Sequence, residues 1–146
     1  MKEYYEEFEA NCEKIMTENH HIIEGFRQYL KAKKLLEKTI NKHVFNAEFY
    51  INDFLLYEEP LQPREGINML DSFLGFWFIK KALWASVTSI NENIASLKHF
   101  YTYLHQNGEV SSEELYEMKQ VIKENKHEWI ENLRAYEGIP VGIQGT

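Results

Sequence analysis

A chain of 146 residues with 44% hydrophobic and 14% aromatic residues can bury the core of one domain, which excludes a disordered tail. The formal net charge of −7 argues against a protein that binds nucleic acid over its whole surface, because carboxylates repel phosphates. The single cysteine, Cys12, excludes an internal disulfide and a zinc site built from cysteines, and it favours a reducing compartment.

The sequence also predicts a cytoplasmic protein without a membrane partner. No run approaches the roughly 18 consecutive apolar residues of a membrane span. The start MKEYYEEFEANCEKI is acidic where a signal peptide is basic and then apolar.

Two helices are predicted at the start of the chain. The first covers residues 3–16, with an apolar stripe at helical spacing and a glutamate-rich opposite face. The second covers residues 20–33, with Thr17 or Asn19 as its N-cap. We therefore predict an extra acidic helix in residues 1–18, a helical domain in residues 19–137 and a flexible tail in residues 138–146.

Four further helices follow in the predicted domain. The third covers residues 37–57 and precedes a loop at residues 58–66 that holds two prolines and a glycine. The fourth, over residues 67–80, is apolar nearly all round, so it lies in the core or under a partner. The fifth covers residues 87–106 and ends at Asn107-Gly108, and the sixth follows a capping box that begins at Ser111. The pattern predicts an all-α bundle of five or six helices.

The basic residues are unevenly distributed. Residues 27–43 hold six basic residues against one acid, and residues 80–108 hold three against one. Acids are in excess in residues 1–18, 44–79 and 109–137. The two basic blocks are either ordinary solvated helix surfaces or one basic face on an acidic body.

No residue pattern indicates catalysis. The six histidines lack the spacing of a metal site, and Glu124-x-x-His127 stands alone where di-iron bundles need two such pairs. The chain has no nucleophile elbow and no glycine-rich phosphate loop. We predict no catalytic residue, no metal, no cofactor and no small-molecule substrate, and hence no enzyme.

The aromatic residues of two helices allow two interpretations. They can stack on nucleic-acid bases, or they can pack in the core, which their helical spacing favours. These residues are Phe45, Phe49, Tyr50, Phe100, Tyr101 and Tyr103.

Two segments carry a resemblance to a known family. They are residues 39–55 (TINKHVFNAEFYINDFL) and residues 89–108 (SINENIASLKHFYTYLHQNG), preceded by FRQYLKAKKL at residues 26–35. Together they resemble the N-terminal SAM-like, core-binding domain of phage integrases and other tyrosine recombinases. The resemblance implies an orthogonal helical bundle that acts in DNA recombination, with the two matching helices against DNA.

Carried over to this chain, the resemblance implies eight DNA-facing residues. They are Lys34, Lys38, Thr39, Lys42, Thr88, Ser89, Asn91 and Lys98. Lysines, hydroxyls and amides near helix N-termini bond phosphate oxygens, and asparagine also reads base edges. The alternative for Thr39, Thr88 and Ser89 is that they cap helices.

The chain departs from the family in its catalytic residues. Tyrosine recombinases need several arginines, a His-x-x-Arg motif and a tyrosine nucleophile in a second domain. This chain has three arginines, and none of its histidines is followed three residues later by arginine. We therefore expect a non-catalytic module that binds duplex DNA weakly. The alternative is a protein–protein adaptor that keeps the fold without binding DNA. The apolar segment at residues 67–79 further suggests a homodimer or a protein partner.

Overall fold

The computed structural model describes residues 1–138 and confirms the all-α prediction, since that range holds helices and turns but no strand. Residues 139–146, which make up nearly all of the predicted tail, lie outside the described residues. The α-helices are α1 (Lys2–Ala32), α2 (Glu37–Glu48), α3 (Leu70–Ser72), α4 (Phe78–Lys81), α5 (Val87–Gln106) and α6 (Ser112–Tyr136).

Helix α1 is uninterrupted, so the predicted break between two N-terminal helices is wrong. Neither expected cap residue caps a new helix. The Thr17 hydroxyl donates to the Glu13 carbonyl at 3.0 Å, one turn back in the same helix. Asn19 is fully buried, and its amide donates to the Asn52 side chain at 2.8 Å. The Thr17 hydroxyl thus bonds within the continuous helix and the Asn19 amide bonds to another segment, so neither side chain caps a new helix.

Two π-helical segments pack against each other through aromatic rings. Phe49–Phe54 continues α2, and Phe73–Trp77 joins α3 to α4. The ring centroids of Tyr50 and Phe73 lie 4.8 Å apart, within the range of favourable edge contacts. Thus the third predicted helix leaves regular α geometry after Glu48 instead of continuing as α-helix to residue 57, and a π segment interrupts the fourth.

The predicted loop at residues 58–66 is helical at its end. Pro63–Asn68 forms a 3₁₀ helix in which Pro63 occupies the first turn and Gln62 with Glu65 forms a capping box. Two buried hydroxyls hold this segment on the core. The Tyr50 hydroxyl donates to the Gly66 carbonyl at 2.6 Å, and the Tyr101 hydroxyl donates to the Pro63 carbonyl at 2.7 Å.

The core lies between α1, α2, the π-helical segments, α5 and α6. Apolar residues at helical spacing on the chain from α2 to the first π-helical segment and on α5 are buried, namely Ile40, Val44, Ile51, Ile94, Leu97 and Leu104. An apolar stripe of α6 is buried as well, which comprises Leu115, Met118, Ile122, Trp129 and Leu133. Within residues 1–138, none of the helices combines the length and the apolar character needed to cross a membrane.

Candidate nucleic-acid interface

Helices α2 and α5 lie side by side and are joined by polar contacts. Lys42 Nζ forms an ion pair with Glu92 Oε2 at 3.2 Å. Next to Lys42, the buried His43 has its Nδ1 2.7 Å from the Ser96 hydroxyl, and this hydroxyl accepts a hydrogen bond from the Asn46 amide at 3.0 Å. These contacts make the solvent-exposed edges of the two helices neighbours on one surface.

Seven of the eight predicted DNA-facing residues lie on these two helices, and four of the seven are exposed. Lys38 and Lys42 are one turn apart on the exposed edge of α2. On α5, the exposed edge carries Thr88, Asn91 and Lys98, which fall on one side of the helix at 100° per residue. We call these five residues the α2–α5 face. Of the five, Asn91 is half-buried and the other four are exposed.

Lys34 extends the basic surface at the turn between α1 and α2. Its backbone has a φ of 61°, in the left-handed region that usually favours glycine, and it follows the C-cap residue Lys33. The chain therefore turns sharply here without glycine or proline, which explains why no sequence signal marked the boundary. The Lys34 side chain is exposed.

The three hydroxyl residues differ in their roles. Ser89 is buried and forms a reciprocal capping box with Ser86, in which the Ser89 N–H donates to Ser86 Oγ at 3.0 Å. The Ser89 hydroxyl in turn accepts from the Ser86 N–H at 2.8 Å. Ser86 is therefore the N-cap of α5, and the Ser89 hydroxyl takes part in the capping box as its partner. Thr39 and Thr88 are not N-caps, because Leu36 and Ser86 hold those positions.

A pair of histidines, with His43 buried and His99 half-buried, lies between α2 and α5, and sequence reasoning missed it. The rings of His43 and His99 are 4.7 Å apart. Burial lowers the pKa of His43 to about 4. The neighbouring His99 and Lys42 lower this pKa further, and Glu92 partly opposes the shift. Burial, together with Lys33, also lowers the pKa of His99. Both imidazoles are therefore neutral at neutral pH, so the positive charge of the surface comes from its lysines.

Not every basic residue of the two sequence blocks contributes to this surface. Lys80 and Lys81 line a different groove, where Lys81 Nζ lies 5.0 Å from the centre of the Tyr57 ring. Arg27 donates to the Asn41 side chain at 2.8 Å. The second basic block is therefore divided between two parts of the surface.

An apolar patch adjoins the α2–α5 face. Phe45, one turn beyond Lys42, is 53% exposed, although its helical spacing favoured the core, so that prediction is wrong for this residue. Trp84 is 47% exposed with its ring centroid 6.1 Å from that of Phe45, and Leu83 is fully exposed. These three residues form the apolar patch. The core prediction is confirmed for Tyr50, Phe100 and Tyr101, which are fully buried.

No metal-binding group is found in the part of the chain that the structure describes, where no three histidine, cysteine, aspartate or glutamate side chains come together to hold an ion. His127, part of the lone Glu-x-x-His pattern, instead pairs with Glu131 on the same helix at 2.8 Å.

Comparisons of the chain with protein-family models, with curated proteins and with solved structures found no match. The likeness to the core-binding domain of tyrosine recombinases therefore rests on the sequence segments named above.

Proposed function

We propose that this protein is a non-catalytic, DNA-associated module whose α2–α5 face lies against the phosphate backbone of duplex DNA. The observation that supports it is the side-by-side placement of the exposed lysines of α2 and the polar edge of α5, joined by the ion pair of Lys42 and Glu92. These are the two helices that the resemblance to tyrosine recombinases places against DNA, so site-specific recombination is the proposed setting.

The chemistry of the face fits phosphate contact more than base recognition. Lys38, Lys42 and Lys98 supply point charges, while Asn91 is the one face residue whose amide can also read a base edge. Glu92 lies among them and opposes the approach of phosphate. We therefore expect a dissociation constant on the order of micromolar or poorer at physiological salt, which is typical of largely non-specific binding.

The test is a titration of duplex DNA at several salt concentrations, starting at low salt. Each lysine that contacts a phosphate contributes about one unit to the slope of log affinity against log salt. The double variant Lys38→Ala/Lys42→Ala should flatten that slope by about two units. The matched control is Lys119→Ala/Lys123→Ala on α6, which removes two exposed lysines at the same spacing and should change the slope little.

The ion pair of Lys42 and Glu92 allows a second test, in which a substitution should tighten DNA binding instead of weakening it. An exposed pair such as Lys42 and Glu92 contributes at most about 1 kcal/mol to stability, so the fold tolerates its loss. Glu92→Gln removes an acid from the face and releases Lys42, and it should tighten DNA binding severalfold. Glu124→Gln, at an exposed position on α6, makes the same charge change away from the face and should have a smaller effect. Equal effects of the two variants would contradict a localised face.

The second candidate function is a protein–protein adaptor, and the apolar patch favours it. Phe45, Leu83 and Trp84 expose apolar surface beside charged residues, as protein interfaces do. If no duplex binds at low salt, this function replaces the first. If DNA binds and Leu83→Ser leaves its affinity unchanged, the patch is not part of the DNA contact.

A further inference from the structure

The amino-terminal half of α1 extends beyond the core. None of residues 2–14, all of which the structure describes, is buried, and they form about 20 Å of helix. We call them the amino-terminal arm. Tyr5, Phe8 and Cys12 follow one another along one side of the arm at helical spacing, and Tyr5 is exposed while Phe8 and Cys12 are half-buried. The core of the chain leaves this apolar stripe partly uncovered, so a contact that covers it would stabilise this part of α1.

The same chain carries an apolar groove of about 450 Å³ at the π-helical segments. Its walls include Phe54, Leu61 and Trp77, and Phe76 at its edge is 54% exposed. Phe76 and Trp77 belong to the segment that the sequence marked as apolar all round, and the core covers that segment incompletely. Two lysines, Lys80 and Lys81, and two glutamates, Glu58 and Glu59, also line the groove.

The arm and the groove are neighbours on one surface. Cys12 Sγ lies 3.9 Å from the Leu56 carbonyl oxygen, and the residues on either side of Leu56 line the groove. Among the described residues that line the groove, however, none belongs to α1. The stripe of the arm therefore stops beside the groove of its own chain without entering it.

We infer that the arm of a second copy of this chain fills the groove. The apolar and aromatic side chains of the stripe can pack against the apolar and aromatic walls of the groove. The arm holds five glutamates against two lysines, and Glu9 and Glu13 lie beside its stripe. In the inferred dimer these two glutamates pair with Lys80 and Lys81, whose groove also holds Glu58 and Glu59. Since each copy has one arm and one groove side by side, a two-fold axis lets both contacts form at once and closes a dimer. This inference does not depend on DNA binding.

Charge reversal tests the inference on the full chain by sedimentation velocity over a range of concentrations. The wild-type chain should be a reversible dimer. The groove variant Lys80→Glu/Lys81→Glu should be monomeric, because its acidic groove meets an acidic arm. The arm variant Glu9→Lys/Glu13→Lys should be monomeric because its new lysines meet Lys80 and Lys81. Mixing the two variants should restore a dimer, since the lysines of the variant arm then meet the glutamates of the variant groove and the other arm and groove are those of the wild type.

Matched controls separate docking from damage to the fold. Lys119→Glu/Lys123→Glu makes the same charge change on α6 and should leave the dimer intact. Tyr5→Ser should weaken the dimer at least tenfold, whereas Tyr116→Ser, at an aromatic residue of α6 with similar exposure, should not. Circular dichroism should show the wild-type helix content in every variant. A wild-type chain that stays monomeric at all concentrations would overturn the inference, and so would variants that remain dimeric alone or fail to pair when mixed.

Discussion

Single hydroxyl groups decide where the 3₁₀ segment Pro63–Asn68 lies. Tyr101 is fully buried and donates to the Pro63 carbonyl, while Tyr50 donates to the Gly66 carbonyl three residues further on. Burial raises the pKa of both phenols well above their ordinary value, so each keeps the proton that it donates. Because two of its carbonyls are bonded to buried side chains, this segment has a fixed position on the core.

We predict that Tyr101→Phe destabilises the fold by about 1–3 kcal/mol, because it leaves the Pro63 carbonyl without its donor while changing the packing very little. The free energy of unfolding from urea titrations measures the effect. Tyr116→Phe, which removes an exposed hydroxyl, should change stability by less than about 0.5 kcal/mol. A Tyr101→Phe chain as stable as the wild type would mean that the hydrogen bond does not hold the segment.

At the scale of elements, the contact between α2 and α5 is partly polar and includes two titratable residues, His43 and His99. His43 is buried against Ser96 and His99, and the charged groups near the pair are Lys33, Lys42 and Glu92. A neutral imidazole fits this contact, and a protonated one is disfavoured because it loses hydration on burial. The association of the two helices should therefore weaken in acid.

We predict that the free energy of unfolding falls as the pH drops from about 6.5 towards 4. Between these pH values His43 is protonated in the unfolded chain but neutral in the folded chain, since its pKa is about 4 in the fold and 6.5 ordinarily. Above pH 6.5 His43 is neutral in both states, so the neutral imidazole makes its full contribution to the free energy of unfolding. Urea titrations at pH 7 and pH 5 should show a smaller difference for His43→Gln than for the wild type. His20→Gln, at an exposed position of α1, should retain the wild-type difference.

For the whole molecule, local chemistry predicted most of the helical core. The bounds of α5 followed from its apolar period and the Asn107-Gly108 signal, and Gly108 does adopt a φ of 77°. The start of α6 followed from the capping box of Ser111 and Glu114. These features depend on residues within one or two turns of each other, so a sequence pattern contains them.

What the sequence missed depends on contacts between distant residues. Asn19 resembles a cap, and only its bond to Asn52, 33 positions away, shows why α1 continues. The helical spacing of the aromatic residues predicts that Phe45 is buried in the core, yet the packing of α2 against α5 leaves it exposed. The resemblance indicated the lysines of the α2–α5 face, but the pairing of Lys42 with Glu92 is visible only in the fold.

The central claim is that the α2–α5 face contacts DNA, and nuclear magnetic resonance tests its location most directly. A short duplex is added at low salt to the isotopically labelled chain, and the backbone amide shifts are followed. We predict that the changes concentrate in residues 38–45 and 88–98 and disappear as salt is raised. An absence of shift changes at low salt would contradict the claim, as would changes centred on α6 or on the amino-terminal arm.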